Sequence, residues 1–297
     1  MISGEKLIEI YAAMVKCRLL AERVALLKRQ GRLVSDLDTG IGREAAVAGL
    51  TVDLMPGDTL SVARPYSASG FINGLPLKDA LSTLAATANG HGPASSAKNG
   101  ESNRAVHVIP ATVNHAAQLH IACGVALACK VAKNRGIAVA FCEDGAESLE
   151  GWRDTLAFAG RHDLPILFVH QRGAGPEQED DSDLKRGEES GHKTQAWGVP
   201  AITVDGNDAV AVYRVASESI ARARLGRGPT LIECGVYDLR RSEDNHRQNS
   251  RRQRGDDPIP AMEKYLARKG LFNEKLKRQM AARFRRELGA ATRFLGN

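Results

Sequence analysis

The sequence predicts an α/β fold with a mostly parallel sheet and helices on both faces, and three observations point to it. The apolar run 137–142 is followed by the turn Glu143-Asp144-Gly145, a helical stretch 148–160 and a second apolar run 165–169, a strand-helix-strand unit that favours a right-handed parallel crossover. The strand 201–204, the helix 208–223 and the strand 230–234 repeat that order. The runs 137–142 and 165–169 are also apolar throughout rather than at alternate positions, as in strands covered on both faces. With 297 residues, 43% hydrophobic and 26% charged, the chain can fill one large core, and neither a repeat nor a break in composition divides it. One domain over 1–297 is therefore expected, with a helix 7–30 and C-terminal helices within 259–294 flanking the sheet.

The elements follow in chain order. Leu7, Ile10, Tyr11, Met14, Val24 and Leu27 recur at helical spacing, and Gly31 is a natural stop. The stretch 42–50 is alanine-rich and helical, Met55-Pro56-Gly57-Asp58 is a turn, and 59–63 is a short strand leading into Arg64-Pro65-Tyr66. A helix is expected over 77–86, followed by a mobile loop over 87–103 dominated by Ala, Gly, Ser and Asn. Small and apolar residues fill 113–133, and Gly124 with its neighbouring alanines predicts a central buried helix packed closely against another element. The polar stretch 171–191, with its acidic run 177–183, is longer than a simple connection needs. Six arginines against Glu243 and Asp244 give 240–254 a charge of +4, and two terminal helices follow over 259–269 and 273–294.

Composition narrows the classes. The net charge of +6 is spread over a long chain and does not by itself call for a polyanion. Five cysteines (Cys17, Cys123, Cys129, Cys142 and Cys234) form no Cys-x-x-Cys pair and lie mostly in apolar runs, so buried free thiols in a reducing compartment are expected. His115 and His120 are five apart, which does not place them on one helical face as metal ligands. No secretory leader or membrane-spanning run is visible, and a cytoplasmic protein is expected. The basic segment 240–254 holds no aromatic for stacking and belongs to no recognisable nucleic-acid module. Neither nucleic acid nor a membrane is the expected partner.

Asp144 and Gly145 stand just past the carboxyl end of a predicted parallel strand, the edge where open α/β sheets bind ligands. A carboxylate there suits a hard cation, and the start of the next helix offers N–H groups to a phosphate. The same dipeptide is a common turn, so a purely structural role is the alternative.

The order of motifs resembles the alpha subunit of the thiamine diphosphate-dependent first component of 2-oxo acid dehydrogenase complexes. The resemblance rests on Met14 to Arg18, Gly42-Arg43-Glu44-Ala45-Ala46, Gly124-Val125-Ala126-Leu127-Ala128-Cys129-Lys130, Asp144-Gly145-Ala146, Leu164-Pro165-Ile166, Val204-Asp205-Gly206-Asn207-Asp208, Gly228-Pro229-Thr230-Leu231-Ile232-Glu233 and Asp257-Pro258, and runs almost the full length. It implies a thiamine diphosphate-binding fold and oxidative decarboxylation of a 2-oxo acid, with acyl transfer to a lipoyl group. It further implies a beta subunit or self-association to complete the site, and a lipoyl-bearing acyltransferase as a further partner. By the same resemblance Arg64 reaches the cofactor diphosphate, Gln118 falls on a glutamine that some members share, Asp144, Gly145 and Ala146 belong to the cofactor motif, and Asp144 ligates magnesium.

Departures cluster at that site. The first glycine of the metal motif is Glu143, and the pair that supplies the metal-ligating asparagine falls on Arg172-Gly173. The histidine segment falls on Arg240-Arg241-Ser242-Glu243, and the small turn facing the aminopyrimidine falls on Asn114-His115-Ala116. Arg172, Arg240 and Arg241 could hold the diphosphate by direct charge, or be solvated arginines that neutralise Glu143 and the run 177–183. Glu143 paired with Arg172 would be another substitute for the metal clamp. Two functional readings stay open at this stage: a working alpha-type subunit with a diverged site, and a degenerate homologue that serves as a structural or partner-binding subunit.

Overall fold

A computed structural model describes residues 1–31, 40–62, 77, 81, 106–109, 115–143, 149–173, 195–236 and 257–293. Their elements are α1 (Gly4–Arg29), α2 (Glu44–Thr51), β1 (Thr59–Ser61), β2 (His107–Ile109), α3 (His115–Ala132), β3 (Ala138–Glu143), α4 (Leu149–Arg161), β4 (Ile166–Gly173), β5 (Gln195–Ala196), β6 (Val199–Asp205), α5 (Ala209–Arg224), β7 (Thr230–Val236), α6 (Pro258–Arg268) and α7 (Glu274–Thr292). The strands form one sheet in the order β2-β1-β3-β4-β7-β6-β5. Every neighbouring pair is parallel except the two-residue β5, which runs antiparallel to β6. The expected α/β class with a mostly parallel sheet is the one found.

Alternation along the strands divides the core into two layers. Val139 and Phe141 of β3 join Leu167 and Val169 of β4 in a cluster with Leu50 of α2 and Val212 and Ile220 of α5. Ala138, Ala140 and Cys142 join Ile166 and Phe168 in a second cluster, with Leu119 of α3 and Trp152 and Leu156 of α4. Helices thus cover both faces. A third cluster packs α1 against α6 and α7 around Tyr11, Met14, Leu266 and Phe284. There Tyr11 donates its hydroxyl proton to Glu263 at 2.8 Å and meets the Phe272 ring edge-on at 5.8 Å.

Several expected boundaries move, each for a local reason. α1 starts at Gly4, not Leu7, because Ser3 is its N-cap and accepts from the Lys6 N–H at 3.2 Å. α2 starts at Glu44 rather than Gly42, whose φ of +101° is not helical. β4 runs through Gly173, so residues 171–173, expected in the polar connection, are strand. Pairing with β7 as far as Gly173–Val236 carries β4 past its last apolar residue. The expectation that α3 is a closely packed central helix is corrected. Its inner face carries Gln118, Leu119, Ala122, Cys123 and Ala126, whereas Ile121 is 43% and Val131 75% exposed, and a Cβ at Gly124 would meet nothing within 4 Å. The small residues run around the whole helix, so their presence alone did not say which face is covered.

β2 carries no apolar signal that the sequence reading used; its three residues are exposed or half-buried at the sheet edge. Of the helix expected over 77–86, Leu77 and Leu81 are described as helical, and Leu81 is buried against the α1 cluster. The loop expected over 87–103 and the basic segment 240–254 lie outside the described residues. All five cysteines are free and buried, as expected. No described helix is long and apolar enough to cross a membrane.

Candidate functional site

The order of the sheet reverses at β1: the chain leaves it for β2 on one side and later enters β3 and β4 on the other. In open α/β sheets such a switch point, at the carboxyl ends of the strands, is where ligands are held. β1 ends there at Ser61, whose hydroxyl accepts from the Gln118 side-chain amide at 2.9 Å. Gln118 stands in the first turn of α3 and is only 2% exposed. The bond therefore ties the start of α3 to the end of β1 inside the crevice.

β4 brings a second polar group to the same edge. His170, Gln171 and Arg172 follow four apolar residues, and strand alternation puts Gln171 on the face of Val169 and the other two on the face of Phe168. The His170 ring meets Trp152 edge-on, with centroids 5.6 Å apart. Gln171 is 6% exposed, yet its Nε2 has no hydrogen-bond partner among the described residues. An unpaired buried amide costs about 1–3 kcal/mol, so this group is one that an arriving acceptor would satisfy. Across the strand pair stands Cys234 of β7, whose thiol is pushed up to about 12, mainly by burial and then by Asp205 and Glu233. It is a neutral neighbour rather than a nucleophile.

A buried ion-pair network holds α2 in place. Arg18 of α1 donates Nε to Glu44 at 2.6 Å and reaches Asp257 with Nη1 at 3.1 Å and Nη2 at 3.0 Å. The Glu44 side chain is fully buried and also accepts from the Gly42 N–H at 3.0 Å. A carboxylate in the first turn of α2 suits the positive end of that helix. Asp257 in turn caps α6 by accepting from the Ile259 N–H at 3.0 Å. Three segments far apart in sequence converge on one guanidinium, and Arg18 is held even more firmly in its protonated form by the two carboxylates.

Of the residues singled out in the sequence, Gln118 and Arg172 are described, and Arg64, Asp144, Gly145, Ala146 and Arg240 lie outside the described residues. Gln118 and Arg172 both stand at the carboxyl edge, on α3 and β4. Arg172 is half-buried and lies in register with Gly235 of β7. Among the described residues no group of three or more His, Cys, Asp or Glu is placed to hold a metal ion. Sequence reasoning missed Ser61, His170 and Gln171. The signal for the last two was present: a polar triplet closing an apolar strand, directly before the long connection.

The described donors suit an anion. Gln171 offers an unpaired N–H pair, Arg172 a guanidinium and Gln118 an amide, whereas the position that resembles a metal-ligating asparagine is Gly173, which has no side-chain oxygen. A profile of the dehydrogenase E1 component family matches residues 11–294, and the chain belongs to that family. It is similar to the pyruvate dehydrogenase E1 component subunit alpha of Staphylococcus aureus strain Mu50, with 29% identity over all of this chain and 80% of that protein. The protein of the same name from Staphylococcus epidermidis strain ATCC 12228 shows the same identity and coverage. The resemblance read from the motifs is borne out.

Proposed function

We propose that this chain is the alpha-type subunit of a thiamine diphosphate-dependent 2-oxo acid dehydrogenase, acting as one domain over 1–297. The observation that carries the reading is the family match over 11–294, on a sheet whose switch-point edge gathers Gln118, Gln171 and Arg172. When bound, the cofactor supplies the chemistry of decarboxylation and of acyl transfer to a lipoyl group. This chain's part is to grip the diphosphate end. Gln171 Nε2 donates to phosphate oxygens, Gln118 braces the start of α3 against Ser61, and Arg172 from the opposite face of β4, with Arg64 and Arg240 from the flanking segments, adds charge at the strand ends.

Magnesium is proposed to be held by Asp144, with water replacing the side-chain ligand that Gly173 cannot give. The ion readily keeps several waters. A beta subunit is the proposed partner that completes the active centre, with a lipoyl-bearing acyltransferase receiving the product. The degenerate alternative is favoured by one feature, the coincidence of substitutions at Glu143, Gly173, Arg240 and Ser242.

The test is calorimetry of thiamine diphosphate on the full chain, with and without magnesium, followed by release of carbon dioxide from pyruvate and branched 2-oxo acids after addition of a beta subunit. Binding that Gln171→Leu weakens about tenfold supports the grip, since a hydrogen bond to a charged group contributes about 1.5–3 kcal/mol. Absence of binding under both conditions overturns it. Binding without turnover beside a competent beta subunit selects the degenerate reading.

A further inference from the structure

The amino edge of the sheet, opposite the switch-point edge, gathers charge from three connections. The segments 130–137, 161–165 and 222–229 join α3 to β3, α4 to β4 and α5 to β7, and they hold seven cations against Asp163 alone. Where they meet lies a cleft of about 320 Å³ lined by Lys130, Lys133, Arg135, Arg224, Asp163 and Leu225, among others. That size stands at the lower end of small-molecule sites, about 300–1,000 Å³.

Two of the four lining cations are engaged by the protein. Arg224 grips the buried Asp58 carboxylate with both terminal nitrogens and donates to the Arg135 carbonyl at 3.2 Å. Lys130 Nζ donates to the His162 carbonyl at 2.6 Å and the Asp163 carbonyl at 3.3 Å, which orients the ammonium without neutralising it. Lys133 and Arg135 are exposed, and their side chains have no ion-pair or hydrogen-bond partner among the described residues.

The backbone fixes where these groups stand. Lys133, Arg135 and Asp163 have φ of 52°, 60° and 41°, in the left-handed region where a Cβ is strained and glycine is not. They are three of the four described non-glycine residues with positive φ, and all three line this cleft. At Lys133 and Asp163 this conformation is the helix C-cap: the Lys133 and Asn134 N–H groups donate to the Lys130 and Cys129 carbonyls, and the Asp163 and Leu164 N–H groups to the Gly160 and Ala159 carbonyls. Arg135 follows in the turn into β3, where its carbonyl accepts from Arg224, so the turns that end α3 and α4 hold these residues at the cleft.

We infer that this cleft binds a small phosphate-bearing anion, of nucleoside-phosphate size or smaller. A guanidinium and two ammonium groups around one cleft match phosphate oxygens, and no aromatic lines it for base stacking along a strand of nucleic acid. The site is distinct from the proposed cofactor edge, because the six residues of β3 separate the two by about 20 Å.

The experiment is calorimetry of the full chain with ATP and with inorganic pyrophosphate, repeated with saturating thiamine diphosphate. The double variant Lys133→Ser/Arg135→Ser, which removes two exposed and unpartnered side chains, is the control, with its melting temperature checked against the parent. The expected result is one-to-one binding of at least one probe, weakened tenfold or more in the double variant and unchanged by thiamine diphosphate. Absence of binding, binding indifferent to the double variant, or displacement by thiamine diphosphate overturns the inference. Salt-sensitive binding of duplex DNA that is tighter than either probe and lost in the double variant also overturns it.

Discussion

Replacing Arg18 by Met should destabilise the protein severely, and the structure sets the size of the effect. The substitution keeps most of the side-chain volume but leaves the Glu44 carboxylate, fully buried, with only the Gly42 N–H as a described partner. Removing one member of a buried pair typically costs about 3–5 kcal/mol, because the other charge stays desolvated. Asp257 suffers less: its side chain is 22% exposed and keeps the Ile259 N–H. For a chain of this size the loss corresponds to roughly 6–15 °C in melting temperature, read by calorimetry or circular dichroism at pH 7. The double variant Arg18→Met/Glu44→Met removes the stranded carboxylate and should recover much of the loss, since apolar replacement of a whole buried pair is often close to neutral. A drop below about 2 °C in the single variant, or a double variant no better than the single, would refute the view that the cost lies in the unpaired Glu44.

Four further outcomes can be checked on the same protein. The five thiols should resist Ellman's reagent at pH 8 in the folded state and all react in denaturant. With Cys123 and Cys234 pushed up to about 12 by burial, the folded state holds their protons more tightly than the unfolded chain, so this stabilisation is complete below about pH 9 and lost as the pH rises towards 12. A denaturant midpoint unchanged between pH 8 and 11.5 would contradict it. Gly49→Ala should cost about 1–3 kcal/mol, because its Cβ would fall 2.7 Å from Val212 Cγ1 and 3.1 Å from the Tyr213 nitrogen, whereas Gly124→Ala on the open face of α3 should stabilise by about 0.5–1 kcal/mol. Equal effects at the two positions in urea melts would show that the α2–α5 contact is looser than described. Lys133→Gly should raise stability by about 0.5–1 kcal/mol by releasing left-handed strain, and a fall in melting temperature would mean that the lysine has a structural use.

Much of the fold was legible because its signals are local. The apolar runs at 137–142 and 165–169 correspond to β3 and β4, and the periodic stretch at 7–30 corresponds to α1. Strand ends were less legible, since β4 continues over His170, Gln171 and Arg172 through pairing with β7, a contact between segments about sixty residues apart. Gly124 misled because a small residue permits a close approach without requiring one. At the candidate site Gln118 and Arg172 were named from the resemblance, while Ser61 and Gln171 were not. Ser61 acquires meaning only when α3 returns Gln118 to the end of β1. The amino-edge cleft was illegible for the same reason: its cations come from segments far apart in sequence, which only the fold brings together.

The two edges of the sheet set opposite physical problems. At the carboxyl edge Gln118 and Gln171 are uncharged amides taken out of water, and Gln171 Nε2 is buried without a hydrogen-bond partner among the described residues. Burial of that kind is unfavourable until an acceptor arrives. At the amino edge Lys133 and Arg135 stay in water, where an unpaired cation is well solvated, and nothing has to arrive for the fold to be satisfied. Their backbone has a structural cause: Lys133 is the left-handed residue that caps α3, and the Arg135 carbonyl accepts from Arg224. Unsatisfied burial therefore marks Gln171 as a group awaiting a ligand or a partner chain, and the convergence of solvated cations on one cleft marks Lys133 and Arg135. Because the two features draw on different residues, different elements and different terms in the free energy, loss of one reading leaves the other standing.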